Sequence, residues 1–284
     1  MGKPKLGGKE TLRLLIFGNT DLADSLLSAG EGGSKLDHAL GALVEEKYQG
    51  ATKILPALEP GLRSDLLLQR LEGRPTPEEV VARGLHESGF VAAQFQPPAP
   101  DEADIVVLSL APEATQEAWR HQAEGYLLAP PPGWEESWSS EQQAWFKDGF
   151  EPCGRLSAEA SKQQLLQVVR LIKDQLDAHA IVYNCSTVDP ADLTYNYHGI
   201  GETIPLRIQR LNRAIIEISV KEGISIIDAD RVLAEIGARE NVSGVLNYST
   251  RACQALCEET LRVMEDIGFF EKRPLIMQIG HQGK

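Results

Sequence analysis

The run Leu12-Arg-Leu-Leu-Ile-Phe-Gly-Asn-Thr-Asp21 decides how the rest of the chain is read. It is apolar but for Arg13, closes on Gly18 and gives way at once to polar residues. An apolar run this short, bounded by a glycine, reads as a buried strand. Further along, Thr52-Lys-Ile-Leu-Pro-Ala-Leu58 reads as a second strand, ended by proline. Asp104-Ile-Val-Val-Leu-Ser-Leu110 is the clearest strand of all, and Ala180-Ile-Val-Tyr183 and Ile224-Ser-Ile-Ile-Asp228 make a fourth and a fifth.

Helical spacing fills the gaps. Leu36, Leu40 and Leu43 predict a helix over 34–48 with Ser34 as its cap, and two more follow over 62–71 and 77–87. Leu165, Val168, Val169 and Ile172 predict one over 157–176. Ile204, Ile208, Leu211, Ile215 and Ile218 mark one face of another, which Gly223 stops. A short helix over 230–236 and a long one over 249–267, stopped by Gly268, complete the set. The strands lie too far apart for hairpins, and parallel strands need such crossovers. The fold class is therefore α/β, a three-layer α/β/α sandwich around a five-stranded, mostly parallel sheet.

Residues 1–10, rich in Lys and Gly, read as a disordered leader. Residues 11–284 read as one domain with an insertion after strand three over 112–152, which holds all four tryptophans and Pro130-Pro-Pro-Gly133.

Lys and Arg number 28 against 41 Asp and Glu, a net charge of −13 that repels phosphate backbones and anionic headgroups. Neither nucleic acid nor membrane is expected as a partner, and no run approaches the ~20 apolar residues of a membrane span. Four scattered cysteines, at 153, 185, 253 and 257, do not make a disulfide framework and point to a reducing, cytoplasmic compartment. There the Asn-x-Ser triplets at Asn184, Asn241 and Asn247 carry no glycan.

In open parallel sheets ligands bind beyond the carboxyl ends of the strands. That selects the loops over 18–21, 56–61, 109–113, 184–201 and 228–248. A dinucleotide site would show G-x-G-x-x-G after the first strand, but only Gly18 is present. Gly30-Glu-Gly-Gly-Ser-Lys35 lacks both the Gly-Lys-Ser/Thr ending and a preceding strand, so no nucleotide cofactor is expected. The six histidines show no His-x-x-x-His spacing and the cysteines no Cys-x-x-Cys, so no metal is expected. Asp228-Ala-Asp230 reads as a helix cap before it reads as a metal ligand pair.

This layout resembles the SGNH/GDSL hydrolase superfamily. The likeness rests on the strand ending in a Gly-x-Thr turn, the Ile-Ser-Ile-Ile-Asp strand, and the stretch from Pro205 through Leu246-Asn-Tyr-Ser-Thr250 to Gly268. It implies an SGNH-hydrolase-like, flavodoxin-like sandwich and acyl-ester hydrolysis or transfer. In that family a serine after strand one attacks. Its amide, a glycine after strand two and an asparagine after strand three hold the oxyanion. A histidine before the last helix is the base, oriented by an aspartate three residues earlier.

Carried over residue by residue, that set is eroded. Gly18-Asn19-Thr20 stands for Gly-Asp-Ser, so the hydroxyl survives as Thr20. Gly61 stands for the strand-two glycine, and Ser109-Leu-Ala-Pro112 puts Ala111 at the asparagine. Leu246-Asn247-Tyr248-Ser249 puts Asn247 at the histidine, and Gly244 falls where the aspartate belongs. One missing oxyanion donor costs about 3–4 kcal/mol of transition-state stabilisation. A missing base costs more, because a neutral alcohol is a poor nucleophile.

Two replacements for the missing groups suggest themselves. The literal Asp24-Ser25-Leu26 lies too far beyond the strand to be the nucleophile. A relocated base is the other: His198, after strand four, stands on the correct rim, with His121 as a further candidate. Cys185 directly follows a buried strand and reads as inert.

Trp119, Trp134, Trp138 and Trp145, with Tyr126, Phe146 and Phe150, make the insertion dense in aromatic rings. Such rings build lids, sugar-binding walls or subunit contacts, and they equally pack an insertion onto its own domain.

Three functions follow. The first is a degenerate esterase site that binds a small acylated or sugar-containing ligand through Asn19, Thr20, Ser109, Asn184, Ser186, His198, Asn247 and Tyr248. The second is an active ester hydrolase or acyltransferase with Thr20 as nucleophile and His198 as base. The third is a non-catalytic subunit that docks a protein partner through the Trp119–Trp145 segment.

Overall fold

The computed structural model describes residues 10–27, 39–98, 102–194, 196 and 198–270. Most of the expected leader, the helix cap Ser34 with Leu36, the loop over 30–35, and Tyr195 and Tyr197 lie outside the described residues.

The described residues form ten strands: β1 (Thr11–Gly18), β2 (Lys53–Pro60), β3 (Ile105–Ser109), β4 (Ala118–His121), β5 (Leu127–Leu128), β6 (Phe150–Gly154), β7 (His179–Tyr183), β8 (Ser225–Ile227), β9 (Val242–Gly244) and β10 (Asn247–Tyr248). Five of them form the central sheet in the order β2-β1-β3-β7-β8. Every pairing in it is parallel. The expected α/β sandwich is what the chain adopts.

Both faces of the sheet are covered, which is why its strands are continuously apolar. Alternate residues serve opposite layers. Val106 and Leu108 of β3 join Leu15, Phe17 and Val182 under the helices Ser64–Leu71, Ala158–Leu176 and Ile204–Glu222. Ile105 and Val107 join Leu14, Ile16 and Ile181 under Leu40–Tyr48, Ala229–Ile236 and Thr250–Asp266. The expected cap at Asp228 is formed, and Ser157 and Ser249 likewise each accept a backbone N–H from the first turn of their helix. Gly223 takes the left-handed conformation at the end of its helix, with φ 67°.

Two expectations need correction. Pro56 does not end the second strand, which runs on to Pro60. β2 is an edge strand, where proline is tolerated. The Lys53 and Gly61 N–H groups donate to the Glu10 and Gly18 carbonyls, so odd-numbered residues face β1 and both prolines turn their missing donor outward. The helix expected over 77–87 is broken: Glu78–Ala82 ends before Gly84, at φ 68°, and Leu85–Glu87 is a separate 3₁₀ turn.

The insertion carries its own sheet, β5-β4-β6, antiparallel throughout, and two helices, Trp134–Ser137 and Ser140–Gly149. Its rings pack together with Val80, Leu85, Val91 and Phe95 into a third apolar cluster. Phe146 at its centre lies 4.8–5.5 Å, ring to ring, from Trp119, Trp134, Trp138 and Phe150. His121 belongs to this cluster too, stacked 4.7 Å from Tyr126. No helix among the described residues is long and apolar enough to cross a membrane.

Candidate functional site

The strand-one turn is sterically fixed. A Cβ on Gly18 would stand 2.6 Å from that of Leu22, so only glycine allows the helical turn Thr20–Leu22 to fold back so tightly. Gly61 lies flat against the same turn: a Cβ there would meet the Asn19 amide nitrogen at 3.0 Å and Gly18 backbone atoms at 3.2 Å. Its N–H donates to the Gly18 carbonyl at 3.0 Å.

Thr20 is exposed, and its hydroxyl donates to the Leu246 carbonyl at 3.0 Å. The threonine and the Leu246-Asn247 segment, far apart in the chain, are therefore neighbours. Asn247 is exposed beside them on the small β9–β10 ribbon. Tyr248 is half-buried, its hydroxyl donates to the Val245 carbonyl at 3.4 Å, and burial holds its pKa well above the usual tyrosine value.

Beneath the turn lies a residue the sequence analysis passed over. Asp21 is 4% exposed. Its carboxylate accepts the Asn19 N–H at 3.0 Å and the Ser109 hydroxyl at 2.5 Å. Ser109 Oγ in turn accepts the Ala111 N–H at 3.0 Å. Burial pushes the Asp21 carboxyl up, against the pull of the Ser109 and Asn19 hydrogen bonds. The available signal was an acid placed directly after the Gly-Asn-Thr turn of a buried strand. In such a position a carboxylate must find donors.

The remaining residues divide. Asn184 is buried and knits β7 to β8: its amide donates to Asp228 at 2.8 Å and its carbonyl oxygen accepts the Asp230 N–H at 3.1 Å. Asp228 caps the helix Ala229–Ile236, and Asp230 accepts both the N–H and the hydroxyl of Thr187. Ser186 is buried and accepts the Val188 N–H at 3.1 Å. Among the described residues no cluster of three or more His, Cys, Asp or Glu is arranged to hold a metal.

His198 is exposed on the loop after β7, with its backbone N–H bonded to Asn196 at 3.0 Å. Its ring makes no hydrogen bond among the described residues, so the structure does not join it to Thr20. His121 is committed to the insertion. Ser25 is 2% exposed and donates to the Asp21 carbonyl, which removes its hydroxyl from the surface. Cys185 is buried, and burial holds its thiol well above the ordinary range.

Behind the site loops lies a buried polar knot. Glu113 is 2% exposed, and one carboxylate oxygen accepts the Ser64 N–H. Its other oxygen is buried with the Ser64 and Ser161 hydroxyls beside it, and these hydroxyls draw the carboxyl down. Arg63, paired with Asp65, is the nearby charge. The Arg207 guanidinium, paired with Glu202, holds the Glu113 carbonyl. Burial wins over these neighbours and raises the Glu113 carboxyl.

The folded chain therefore binds this proton more tightly than the unfolded chain does. Stability falls as pH rises from the unfolded carboxyl range through the raised native value. Glu113→Gln supplies a donor without a charge. It is expected to stabilise the chain by about 1–3 kcal/mol at neutral pH, with the gain vanishing below the unfolded carboxyl range. Urea titrations of both proteins from about pH 3 to about pH 8 check this, and a pH-independent difference would contradict it.

The sheet order, with a Gly-Asn-Thr turn set against a Leu-Asn-Tyr-Ser ribbon, is an SGNH/GDSL-hydrolase-like fold. Axe2, an acetylxylan esterase from Geobacillus stearothermophilus, is similar over 95% of this chain and 100% of its own, at 12% identity and a TM-score of 0.50. A catalytic mutant of the same esterase matches over the same shares at 11% identity and 0.50. A member of the lipolytic G-D-S-L family from Veillonella parvula matches over 89% of this chain and 98% of its own, at 9% identity and 0.47. At such identities the likeness is one of fold. No family model matches the chain, and no curated protein matches it.

Proposed function

We propose that this chain is a binding protein on an esterase-like scaffold, gripping a small acylated or sugar-containing molecule at a degenerate site. The observation that carries this reading is the Thr20 hydroxyl, which donates to the Leu246 carbonyl at 3.0 Å. A peptide carbonyl cannot take up the proton that nucleophilic attack releases, as an imidazole would. The oxyanion side agrees. The Gly61 N–H is spent on the Gly18 carbonyl and the Ala111 N–H on Ser109 Oγ, so neither is aimed at a substrate oxygen. Asn19, Thr20 and Asn247 instead offer amide and hydroxyl groups towards solvent, which suits a hydroxylated or acylated ligand. The acetylated sugars named for Axe2 are the substrate class to try first. A cytoplasmic location goes with this reading, supported by four unpaired thiols.

Purified protein is expected to show no labelling by a fluorophosphonate and no turnover of 4-nitrophenyl acetate above background. Acetylated xylobiose is expected to shift the amide resonances of Asn19, Thr20 and Asn247, and Asn247→Ala to weaken that binding about tenfold. Labelling of Thr20, with turnover abolished in Thr20→Ala and His198→Ala, would overturn the reading in favour of a Thr20–His198 enzyme.

A further inference from the structure

A second site lies away from the strand ends, between the helix Ser64–Leu71 and the β4–β5 ribbon of the insertion. We propose that this cleft binds a small hydroxylated oxyanion, of the sugar-acid or sugar-phosphate type, between Arg74, Arg120 and Gln164.

The cleft is an open groove of about 700 Å³, within the usual range for small-molecule sites. One wall is rigid. The Gln69 side chain, 8% exposed, donates to the Leu127 carbonyl at 3.0 Å and accepts the Leu127 N–H at 2.8 Å, so the ribbon is fixed to the helix as a neighbouring strand would be. Leu127 and Leu156 supply apolar surface.

The charges decide the ligand's sign. Arg120 is exposed, and its side chain has no hydrogen bond or ion pair among the described residues. Glu151 stands opposite it in the β4–β6 register without pairing with it. Arg74 is weakly held, by contacts of 3.5 Å to Gln69 and 3.4 Å to the Glu124 carbonyl. Of the two carboxylates in the lining, Asp65 is neutralised by the two-pronged Arg63 guanidinium at 2.9 and 2.8 Å. Glu72 is exposed and makes no ion pair. Within the lining two guanidiniums thus stand against one unpaired carboxylate, with Glu151 across the strand from Arg120 as a further nearby acid. Forked N–H donors match a carboxylate or phosphate.

Gln164 adds the second requirement. Gln164 lines the cleft, and its side-chain oxygen is buried with no partner among the described residues. A buried acceptor left unsatisfied is costly, and a ligand hydroxyl relieves it. A bare anion satisfies the arginines only, and a neutral sugar satisfies the glutamine only. A molecule with both groups satisfies both.

The test uses the full chain, isotope-labelled, titrated with glucuronate and glucose 6-phosphate, with glucose and inorganic phosphate as comparators. Saturable binding of at least one of the two acids is expected, shifting the amides of Gly73, Gly125 and Leu127. Arg120→Gln is expected to weaken it about tenfold and Gln164→Leu about fivefold, with unchanged circular dichroism. Arg120 is exposed, so its replacement does not threaten the fold. The proposal is overturned if neither acid saturates, if Arg120→Gln binds as tightly as wild type, or if glucose or inorganic phosphate binds as tightly as the acids. Shifts confined to Gly18–Thr20 would also overturn it, by placing the ligand at the strand-end site instead. That outcome leaves the esterase-like reading standing.

Discussion

Alanine at Phe146 is expected to cost about 3–5 kcal/mol of stability. The ring is 2% exposed and touches four others, so its removal leaves a void lined by aromatic rings. Those rings cannot easily collapse into it. β4 and β6 fix Trp119 and Phe150 by strand pairing, and the Ser139–Gln142 capping box fixes the start of the helix that bears Phe146. Trp145→Leu serves as the comparison: its ring is half-buried and stacks against the Arg83 guanidinium, 4.6 Å from the ring centre, so a smaller loss is expected. Urea denaturation followed by near-ultraviolet circular dichroism measures both. A loss below about 1 kcal/mol for Phe146→Ala would mean that the insertion does not depend on this cluster.

The other large effect is expected at Arg207, only 1% exposed although charged. Its guanidinium donates twice to the Glu113 carbonyl, at 3.0 and 2.7 Å, once to the Leu156 carbonyl at 2.6 Å, and pairs with Glu202 at 2.9 Å. Arg207→Ala strands the buried Glu113 carbonyl and the part-buried Leu156 carbonyl, while the exposed Glu202 keeps Arg210, and a loss of about 3–5 kcal/mol follows from the two lost acceptors and the lost packing. Because Glu113 lies on the short helix Ala111–Thr115 after β3, the same substitution is expected to loosen that helix, raising hydrogen exchange at Ala111 and Ala114. Arg207→Lys keeps the charge but not the forked geometry, and falls between the two. Unchanged exchange in a destabilised Arg207→Ala would show that the arginine braces its helix alone.

The sheet was legible because both of its faces are buried. Ile105-Val-Val-Leu108 is apolar at every position and can be little else than a covered strand. The helix stop at Gly223 and the cap at Asp228 were legible for a local reason: they act within one turn. The strands of the insertion were not. β4, β5 and β6 are two to five residues long, and their partners lie as far apart in the chain as Ala118 and Gly154, so no periodicity announces them. Nor does sequence show that Val80, Leu85, Val91 and Phe95, from before β3, complete the insertion's core.

At the site, the turn at Gly18 and the neighbourhood of Thr20 and Leu246 followed from the resemblance and the rim rule together. The engagement of Asn184 with Asp228 and Asp230 did not, because a side chain that cross-braces two strands looks in sequence like one that waits for a ligand. Arg63, Arg207 and Glu113 were hidden for the opposite reason. Charged residues are rarely fully buried, so composition assigns them to the surface. Only their mutual pairing reverses that.

Pro56 and Pro60 leave β2 with few outward-pointing N–H groups, those of Ile54 and Leu58 among them, on an edge that also shows Leu55 and Leu58 to solvent. A ladder cannot be continued from such a margin, because an incoming segment would find every second rung missing. The apolar side chains there would otherwise invite cross-β stacking between molecules. The two rings thus act as gatekeepers against fibril growth, a protection that replacing either with valine would strip away.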